Sequence, residues 1–348
     1  MQKDLKEFTH AQLEELVKGL GGRSYWAGYI FSFIHTKAAS DIDAITPLPK
    51  SFRQALKDQG LFIGMLKTEQ CLKDPDGTIK LTFTTQDGLY LESVVLRDRD
   101  RNTVCISCQS GCRMGCLFCA TGAMGFQGNL TAGQIVDQVY QVNARQIKVH
   151  NVVYMGMGEP FDNYDAVLRS ARLLNDKNGL NIGQRRITIS TCGIPEGIVR
   201  MASEGTQFRL AISLHGPDDQ TRGLLMPVAN RYGLAEVLRA AEHYQAKTGR
   251  RITIEYCMLD SINDSPAHAR ALVKVLKGLK VNVNLIEFNP FPGARFAPSP
   301  RTQIRHFCQI LRDSGLETAI RFRRGQTISA ACGQLGADRL QASKIATL

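Results

Sequence analysis

The sequence predicts an α/β protein built on a parallel sheet, closed or partly closed into a barrel, with a small α+β region ahead of it. Two observations carry this. Beyond residue 101, short apolar runs alternate with amphipathic helical patterns, and repeated β-α units of that kind place their strands side by side in parallel. Before it, helical periodicity gives way to a single hairpin pattern. With 348 residues, 43% of them hydrophobic and 22% charged, the chain is long enough for one large domain and a smaller one.

In the first 60 residues Ala11, Leu13, Leu16, Val17 and Leu20 fall at helical spacing, and Gly21-Gly22 ends that segment. Further helices are expected from Tyr25 to His35 and around Phe52 to Leu56. Ile79 to Phe83 and Leu89 to Val95 flank Gln86-Asp87-Gly88 and predict a hairpin. The boundary is expected near Arg101, dividing an accessory region of residues 1–100 from a core of residues 101–348. In the core, strands are expected at Val152–Met155, Ile187–Ile189, Leu210–Leu214, Ile252–Tyr256, Val283–Phe288 and Ala319–Phe322. Helices are expected to begin near Thr131, Asp165, Pro195, Leu234, Pro266 and Arg301, with Thr131 as an N-cap. Pro290 to Pro300 reads as a loop.

No apolar run reaches 18 residues and the N-terminus has no signal-peptide core, so the expectation is a cytoplasmic protein without membrane association, a monomer by default. The formal net charge of +11 favours polyanionic partners, nucleic acid first, although charge alone equally serves solubility.

Five of the ten cysteines, Cys105, Cys108, Cys112, Cys116 and Cys119, lie within fifteen residues. A secreted disulfide scaffold would be short and would spread its cysteines, so this clustering points to metal or redox chemistry. Cys112, Cys116 and Cys119 have the spacing C-x3-C-x2-C. Three thiolates so placed suit three corners of a 4Fe–4S cubane, leaving the fourth iron open to the amino and carboxylate groups of S-adenosylmethionine (SAM). A zinc site with Cys105 or Cys108 as fourth ligand stays open as the alternative.

The spacing and its neighbours resemble the radical SAM RNA adenosine methyltransferases of the RlmN and Cfr type, over nearly the whole chain. The resemblance rests on Cys105-Ile-Ser-Cys108-Gln-Ser-Gly-Cys112, Cys119-Ala-Thr-Gly, Met155-Gly-Met-Gly-Glu159-Pro160, Ser213-Leu-His215, Leu225-Met-Pro, Phe288-Asn289-Pro290 and Ala331-Cys332-Gly-Gln-Leu335, in that order. It implies a partial (β/α)6 radical SAM barrel carrying one 4Fe–4S cluster and binding SAM. It also implies SAM contacts from Gly158, Glu159, Ser190, Ser213, Leu214, His215 and Asn289. Cys332 would carry a methyl group from a first SAM, and a radical from a second would activate it. Cys105 would then release the methylated base and leave a transient disulfide. Glu92 occupies the position of the family's proton acceptor, a task for which Cys105 is also considered, and Cys108 stands where many relatives have serine.

The activity so implied is methylation of carbon 2 of an adenosine in 23S rRNA, and of a tRNA adenosine as well, with flavodoxin or ferredoxin as electron donor. Two alternatives stand beside it: methylation of carbon 8, and a zinc-stabilised RNA-binding protein without catalysis. Arg97, Arg99, Arg101, Arg185, Arg186, Arg321, Arg323 and Arg324 are candidates for phosphate contact, and Arg23, Tyr25 and Trp26 for gripping folded RNA.

Overall fold

The computed structural model describes residues 3–98 and 100–346. Arg99 lies outside them. Three helices open the chain: α1 (His10–Gly19), α2 (Trp26–His35) and α3 (Lys50–Asp58). Thr9 starts α1 with a reciprocal cap, its hydroxyl accepting from the Gln12 amide while Gln12 Oε1 accepts from the Thr9 amide. Leu13, Val17, Ile30, Phe31, Ile34 and Leu56 face inward at helical spacing and are fully buried.

A ten-stranded sheet follows. Its strands are β1 (Lys67–Lys73), β2 (Ile79–Thr84), β3 (Tyr90–Asp98), β4 (Arg101–Cys105), β5 (Asn151–Tyr154), β6 (Ile187–Thr191), β7 (Arg209–Ser213), β8 (Ile252–Met258), β9 (Val281–Glu287) and β10 (Glu317–Arg321). They lie in chain order, antiparallel from β1 to β4 and parallel from β4 to β10. Helices α4 (Ala132–Ala144), α5 (Tyr164–Asn175), α6 (Pro195–Ser203), α7 (Asp219–Leu225), α8 (Leu234–Thr248), α9 (Pro266–Val275) and α10 (Arg301–Asp313) fill the crossovers. This is a partial (β/α)6 barrel. Thr131 caps α4 with Gln134 as its reciprocal partner.

Two strands depart from the sequence reading. β4 is the first parallel strand, and through it the hairpin and the barrel form one sheet across the position expected to divide them. β1 is an edge strand whose residues are exposed or half-buried. The sheet's two edges do not pair with each other among the described residues. Residues 324–338 bridge them instead. Arg324 Nη1 donates to Arg97 O at 2.6 Å, Gly325 N to Asp76 Oδ2 at 2.9 Å and Thr327 Oγ1 to Asp74 Oδ2 at 2.7 Å, while Lys80 Nζ meets Asp338 Oδ2 at 2.6 Å.

The N-terminal region is pinned to the barrel through Lys6, which reaches the Asp137 carboxylate of α4 and the Gly64 carbonyl in full burial. Asp137 Oδ2 also accepts from Leu66 N at 2.8 Å. Asp137→Ala leaves a buried ammonium without its counter-charge, so urea unfolding should show a loss of about 3–5 kcal/mol. A loss below about 1 kcal/mol would mean that water reaches Lys6. Among the described residues no helix is long and apolar enough to cross a membrane.

Candidate active site

Strand register decides which side chains enter the barrel. In parallel strands, residues in register share a face, and that face returns every second residue. Ser213, Glu255, Asn284 and Ala319 form one such rung across β7 to β10. Ser190 lies in register with Ala211, two residues before Ser213, and so joins the same face. Across the hairpin, Thr82 pairs with Glu92, and Val94 pairs with both Lys80 and Cys105. The barrel interior is therefore lined with polar groups, while Ile254, Tyr256, Val283 and Leu285 pack outward in the apolar core.

The loop after β4 carries Cys112, Cys116 and Cys119. It folds back on itself where Cys112 N meets Gly125 O at 3.3 Å, and Cys119 N donates to Cys116 O at 3.1 Å. Leu117 N binds Leu225 O of α7 at 2.9 Å, and the Phe118 ring stands edge-on to His215 at 4.7 Å. Burial pushes the Cys112 thiol up to about 12 and the Cys116 thiol well above its usual value, and Cys119 adds to both shifts. Thiols that disfavour ionisation in a common field need a cation to become thiolates, as iron supplies. Among the described residues no group of His, Cys, Asp or Glu gathers around a single ion. A cubane sets its ligands further apart than one ion does, so Cys112, Cys116 and Cys119, closely spaced on one loop, fit it. Cys108 is buried beside Cys112 and Glu159, with its amide on Met157 O.

Gly111 makes the loop possible. Its φ is +69°, and a Cβ there would lie 1.7 Å from Gly125 O. Gly111→Ala should displace the loop and lower bound iron by more than half after anaerobic reconstitution, measured by iron and sulfide analysis; full occupancy would show that the loop adapts.

The proposed SAM contacts line the ends of β5, β6, β7 and β9. Gly158 has φ +99°, and a Cβ would press to 2.6 Å from Gln109 Cβ. Glu159 is buried, and its two oxygens accept from Phe161 N at 3.0 Å and Cys192 N at 2.8 Å. It thus ties the β5 loop to the β6 end, and only second lone pairs are left for a ligand amine. Burial raises its pKa against those hydrogen bonds. Leu214 is fully buried with both backbone groups used, its amide on Glu255 O and its carbonyl on Arg222 Nη1. His215 holds a left-handed φ of 57°, and its Nδ1 accepts from Cys257 N at 2.9 Å. Burial, helped by Arg222, holds it down to about 3, so it is neutral. Asn289 has the clearest opening toward a ligand. Its Nδ2 donates to Cys332 O at 3.1 Å, while its Oδ1 is buried without a partner. An acceptor in that condition suits an ammonium or hydroxyl donor, so the site fits SAM.

Cys332 reaches the same space from the C-terminal segment. Gly333 O accepts from Ala120 N at 2.7 Å and Leu335 O from Thr121 Oγ1 at 2.8 Å, which joins this segment to the cluster loop. Cys332 is exposed, while the protein crowding its sulfur displaces hydration and pushes its thiol well up. The charges it feels most are those of Cys105, Glu255, Cys119 and Cys257, in that order. The Cys105 thiol is pushed up to about 12 by burial. Both thiols are free. Glu92 is fully buried, where Tyr90 OH and Gly336 N donate to it and Lys80 lies at 3.7 Å. Burial raises its pKa and Lys80 opposes the rise.

Sequence reading missed the buried polar groups that hold these pieces. Arg222, fully buried, donates to Leu214 O at 2.7 Å and to Cys192 O at 3.4 Å. Asn263 donates to His215 O and Cys257 O, each at 2.7 Å. Glu255 enters the barrel with Asn284 Nδ2 at 2.9 Å. Of the arginines named for phosphate, Arg323 pairs with Glu287 at 3.1 Å, and Arg324 is engaged at the sheet edge. Arg97, Arg101, Arg185, Arg186 and Arg321 are exposed, Arg185 binding Gln207. Trp26 packs on Phe52 at 4.7 Å and belongs to the core side, whereas Tyr25 is exposed beside Arg23.

Sequence comparison matches residues 106–272 to the radical SAM superfamily and residues 3–61 to the ribosomal RNA large subunit methyltransferase N-terminal domain. The chain is 44% identical to a probable dual-specificity RNA methyltransferase RlmN of Thermus thermophilus, over 93% of this chain and 92% of that protein. A protein of the same name from Thermotoga neapolitana is 43% identical over 97% of this chain and 98% of its own. A crystal structure of a radical SAM methyltransferase from Sphaerobacter thermophilus superposes with a TM-score of 0.91 at 45% identity, covering 96% of this chain and 99% of that one.

Proposed function

Because this chain belongs to the RlmN family of radical SAM RNA methyltransferases, we propose that it methylates carbon 2 of an adenosine in 23S rRNA, and of a tRNA adenosine, through a methylated Cys332. The observation that carries this reading is the placement of Cys332: its segment is bonded to the cluster loop and to Asn289, and the charge it feels most is that of Cys105. The large-subunit rRNA methyltransferase description of the N-terminal match supports the rRNA substrate, and the printed dual specificity of the relatives supports a second RNA.

Cys112, Cys116 and Cys119 would hold the 4Fe–4S cluster, and the ends of β5, β6, β7 and β9 would hold SAM. SAM bound there supplies the methyl group and, with an electron from the cluster, a carbon radical. The rest of the chemistry belongs to this chain's side chains. Carbon 2 of adenine is electrophilic, so a polar methyl transfer to it is unfavourable, and Cys332 acts as carrier. Glu92, a buried carboxylate with a raised pKa, accepts the ring proton. With the methylene carried on Cys332 Sγ bonded to carbon 2, Cys105 loses its proton and its thiolate attacks Cys332 Sγ. The S–C bond breaks, the departing carbon takes up a proton to become the methyl group, and the Cys105–Cys332 disulfide so formed must be reduced by two electrons before the next turnover. A flavodoxin- or ferredoxin-like donor fits the electron demand, and a cytoplasmic monomer fits the substrate.

Reconstituted enzyme with SAM, a reductant and rRNA should yield 2-methyladenosine on mass spectrometry of the hydrolysed RNA; 8-methyladenosine as the main product would overturn the regiochemistry. Glu92→Gln should slow product formation by about 10²–10⁴-fold while Cys332 still becomes methylated. An unchanged rate would remove Glu92 from the proton path.

A further inference from the structure

Cys332 lies on a segment fastened to the sheet on both sides of it, by anchors of different kinds. The anchor before it is the turn at Asp74 and Asp76, which takes Thr327 N at 3.0 Å and Gly325 N at 2.9 Å. Each of these aspartates also accepts an amide of its own turn, so this end rests on a preformed loop. The anchor after Cys332 has no such loop. Gly336 N donates to Glu92 Oε2 at 3.0 Å, Lys80 Nζ meets Asp338 Oδ2 at 2.6 Å, and the Arg339 guanidinium lies 4.9 Å from the centre of the Tyr90 ring. Asp338 and Arg339 stand in the first turn of α11 (Ala337–Ala346).

Lys80 has no part in the chemistry above. It is 1% exposed on β2, and Glu92, equally buried on β3, faces it at 3.7 Å. A buried ammonium needs a counter-charge, and Glu92 supplies one from the neighbouring strand. Asp338 is a different case. Half of its side chain is exposed, where water would solvate it well, yet it reaches Lys80 across 258 positions of sequence. What this second contact adds is a tie between the hairpin wall and the C-terminal segment.

We propose that Lys80 is a positioning residue: by holding Glu92 and Asp338 with one ammonium, it sets where the Cys332 segment stands against the wall that carries Glu92. This rests on the roles given above to Cys332 as methyl carrier and Glu92 as proton acceptor, which must meet the same adenine ring. An ammonium has three donors and no acceptor, so it joins two carboxylates that would otherwise repel each other. Its bond to Asp338 is charge-assisted and closed at its buried end, whereas Arg339 makes only a long cation–π approach. Gly336 follows Glu92, whose own place is fixed by Tyr90 and Lys80. Removing the ammonium therefore loosens every tie after Cys332 except the Arg339 contact. The anchor at Asp74 and Asp76 makes no use of Lys80, so the segment would pivot there and Cys332 would lose its fixed place.

The decisive measurement is hydrogen–deuterium exchange of the peptide spanning residues 333–340, in anaerobic, cluster-containing protein without SAM or RNA. Lys80→Met and Asp338→Asn should each raise its exchange about 10-fold or more, while residues 324–328 stay as protected as before. A lysine that only supports the fold would loosen both anchors alike in Lys80→Met and leave Asp338→Asn unchanged; either result overturns the proposal. Asp338→Glu keeps the carboxylate and should restore most of the protection, and a failure to restore it counts against the tie. Lys80→Met combined with Asp338→Asn should lose no more than Lys80→Met alone, since one contact is broken once; additive losses would mean that the two residues act separately. Should Lys80→Met fail to fold, the two Asp338 variants decide, because that side chain is half-exposed. With SAM, a reductant and rRNA, a displaced carrier leaves more radical spent without product. The ratio of 5′-deoxyadenosine to methyladenosine should then rise about 10-fold in Asp338→Asn, and an unchanged ratio removes the positioning role. The exchange measurement uses neither SAM nor RNA, so it decides the tie made by Lys80 whether or not Cys332 carries the methyl group.

Discussion

Cys332→Ala should lower methyladenosine formation below detection, a loss of at least about 10³-fold, while the protein stays brown and still cleaves SAM when reduced. The separation of the two effects is the informative part. Cys332 enters the barrel from the C-terminal segment, whereas the three cysteines proposed for the cluster stand on the loop after β4; the two pieces are joined by hydrogen bonds to the Gly333 and Leu335 carbonyls and by packing of Ala120 against Ala337. An alanine at 332 leaves those bonds in place, so the cluster loop keeps its support. The Cys332 carbonyl that accepts from Asn289 also remains. Liquid chromatography of 5′-deoxyadenosine together with RNA nucleoside analysis reads both effects at once. Methylated adenosine from Cys332→Ala would eliminate the carrier mechanism.

Cys116→Ala should have the opposite profile, in which everything is lost together. Cys116 is the middle thiol of the motif and feels both Cys112 and Cys119. With two thiolates left, a cubane has no third anchor, so iron content, visible absorbance, SAM cleavage and methylation should all fall by more than about 10-fold. Iron binding to the folded chain also stabilises it by mass action, so the wild-type protein should gain thermal stability on reconstitution and the variant should not. A Cys116→Ala protein with full iron and sulfide would mean that the cluster is held elsewhere, and Cys108, buried beside Cys112, would then be the first thiol to examine.

The parts of this fold legible in the sequence are those where the pattern has a single physical meaning. The strands from β5 to β10 are apolar on the face that packs against helices, and Thr131 announces α4 because a hydroxyl before an apolar stripe has few other uses. The cysteine motif is legible for the same reason, since so close a spacing has few chemical explanations. β1 was missed because Lys-Thr-Glu-Gln-Cys-Leu-Lys on a sheet edge buries little and so has no apolar alternation. β4 was missed because Arg101, Asn102 and Thr103 look like a linker until its two neighbours are known. Arg222, Asn263 and Glu255 were missed for a deeper reason. A charged or amide side chain reads as surface in a sequence, and only the folded sheet shows that these point inward or are enclosed. The same period-2 pattern that buries Ile254 and Tyr256 on one side of β8 sends Glu255 to the other, so the signal was present in the strand but its meaning depended on what faced it.

The bridge across the sheet edges has a consequence for biosynthesis. Its hydrogen bonds join residues 227 to 258 positions apart, among the longest loops the chain could close. Contacts of that separation form last, because the entropy of closing the loop must be met before they contribute anything. A nascent chain with its first strands already paired cannot present Cys332 to the barrel until residues 324–338 have cleared the ribosome. Cys332 therefore stays apart from Cys112, Cys116 and Cys119 through most of translation, and the two segments come together only when the rest of the fold is in place.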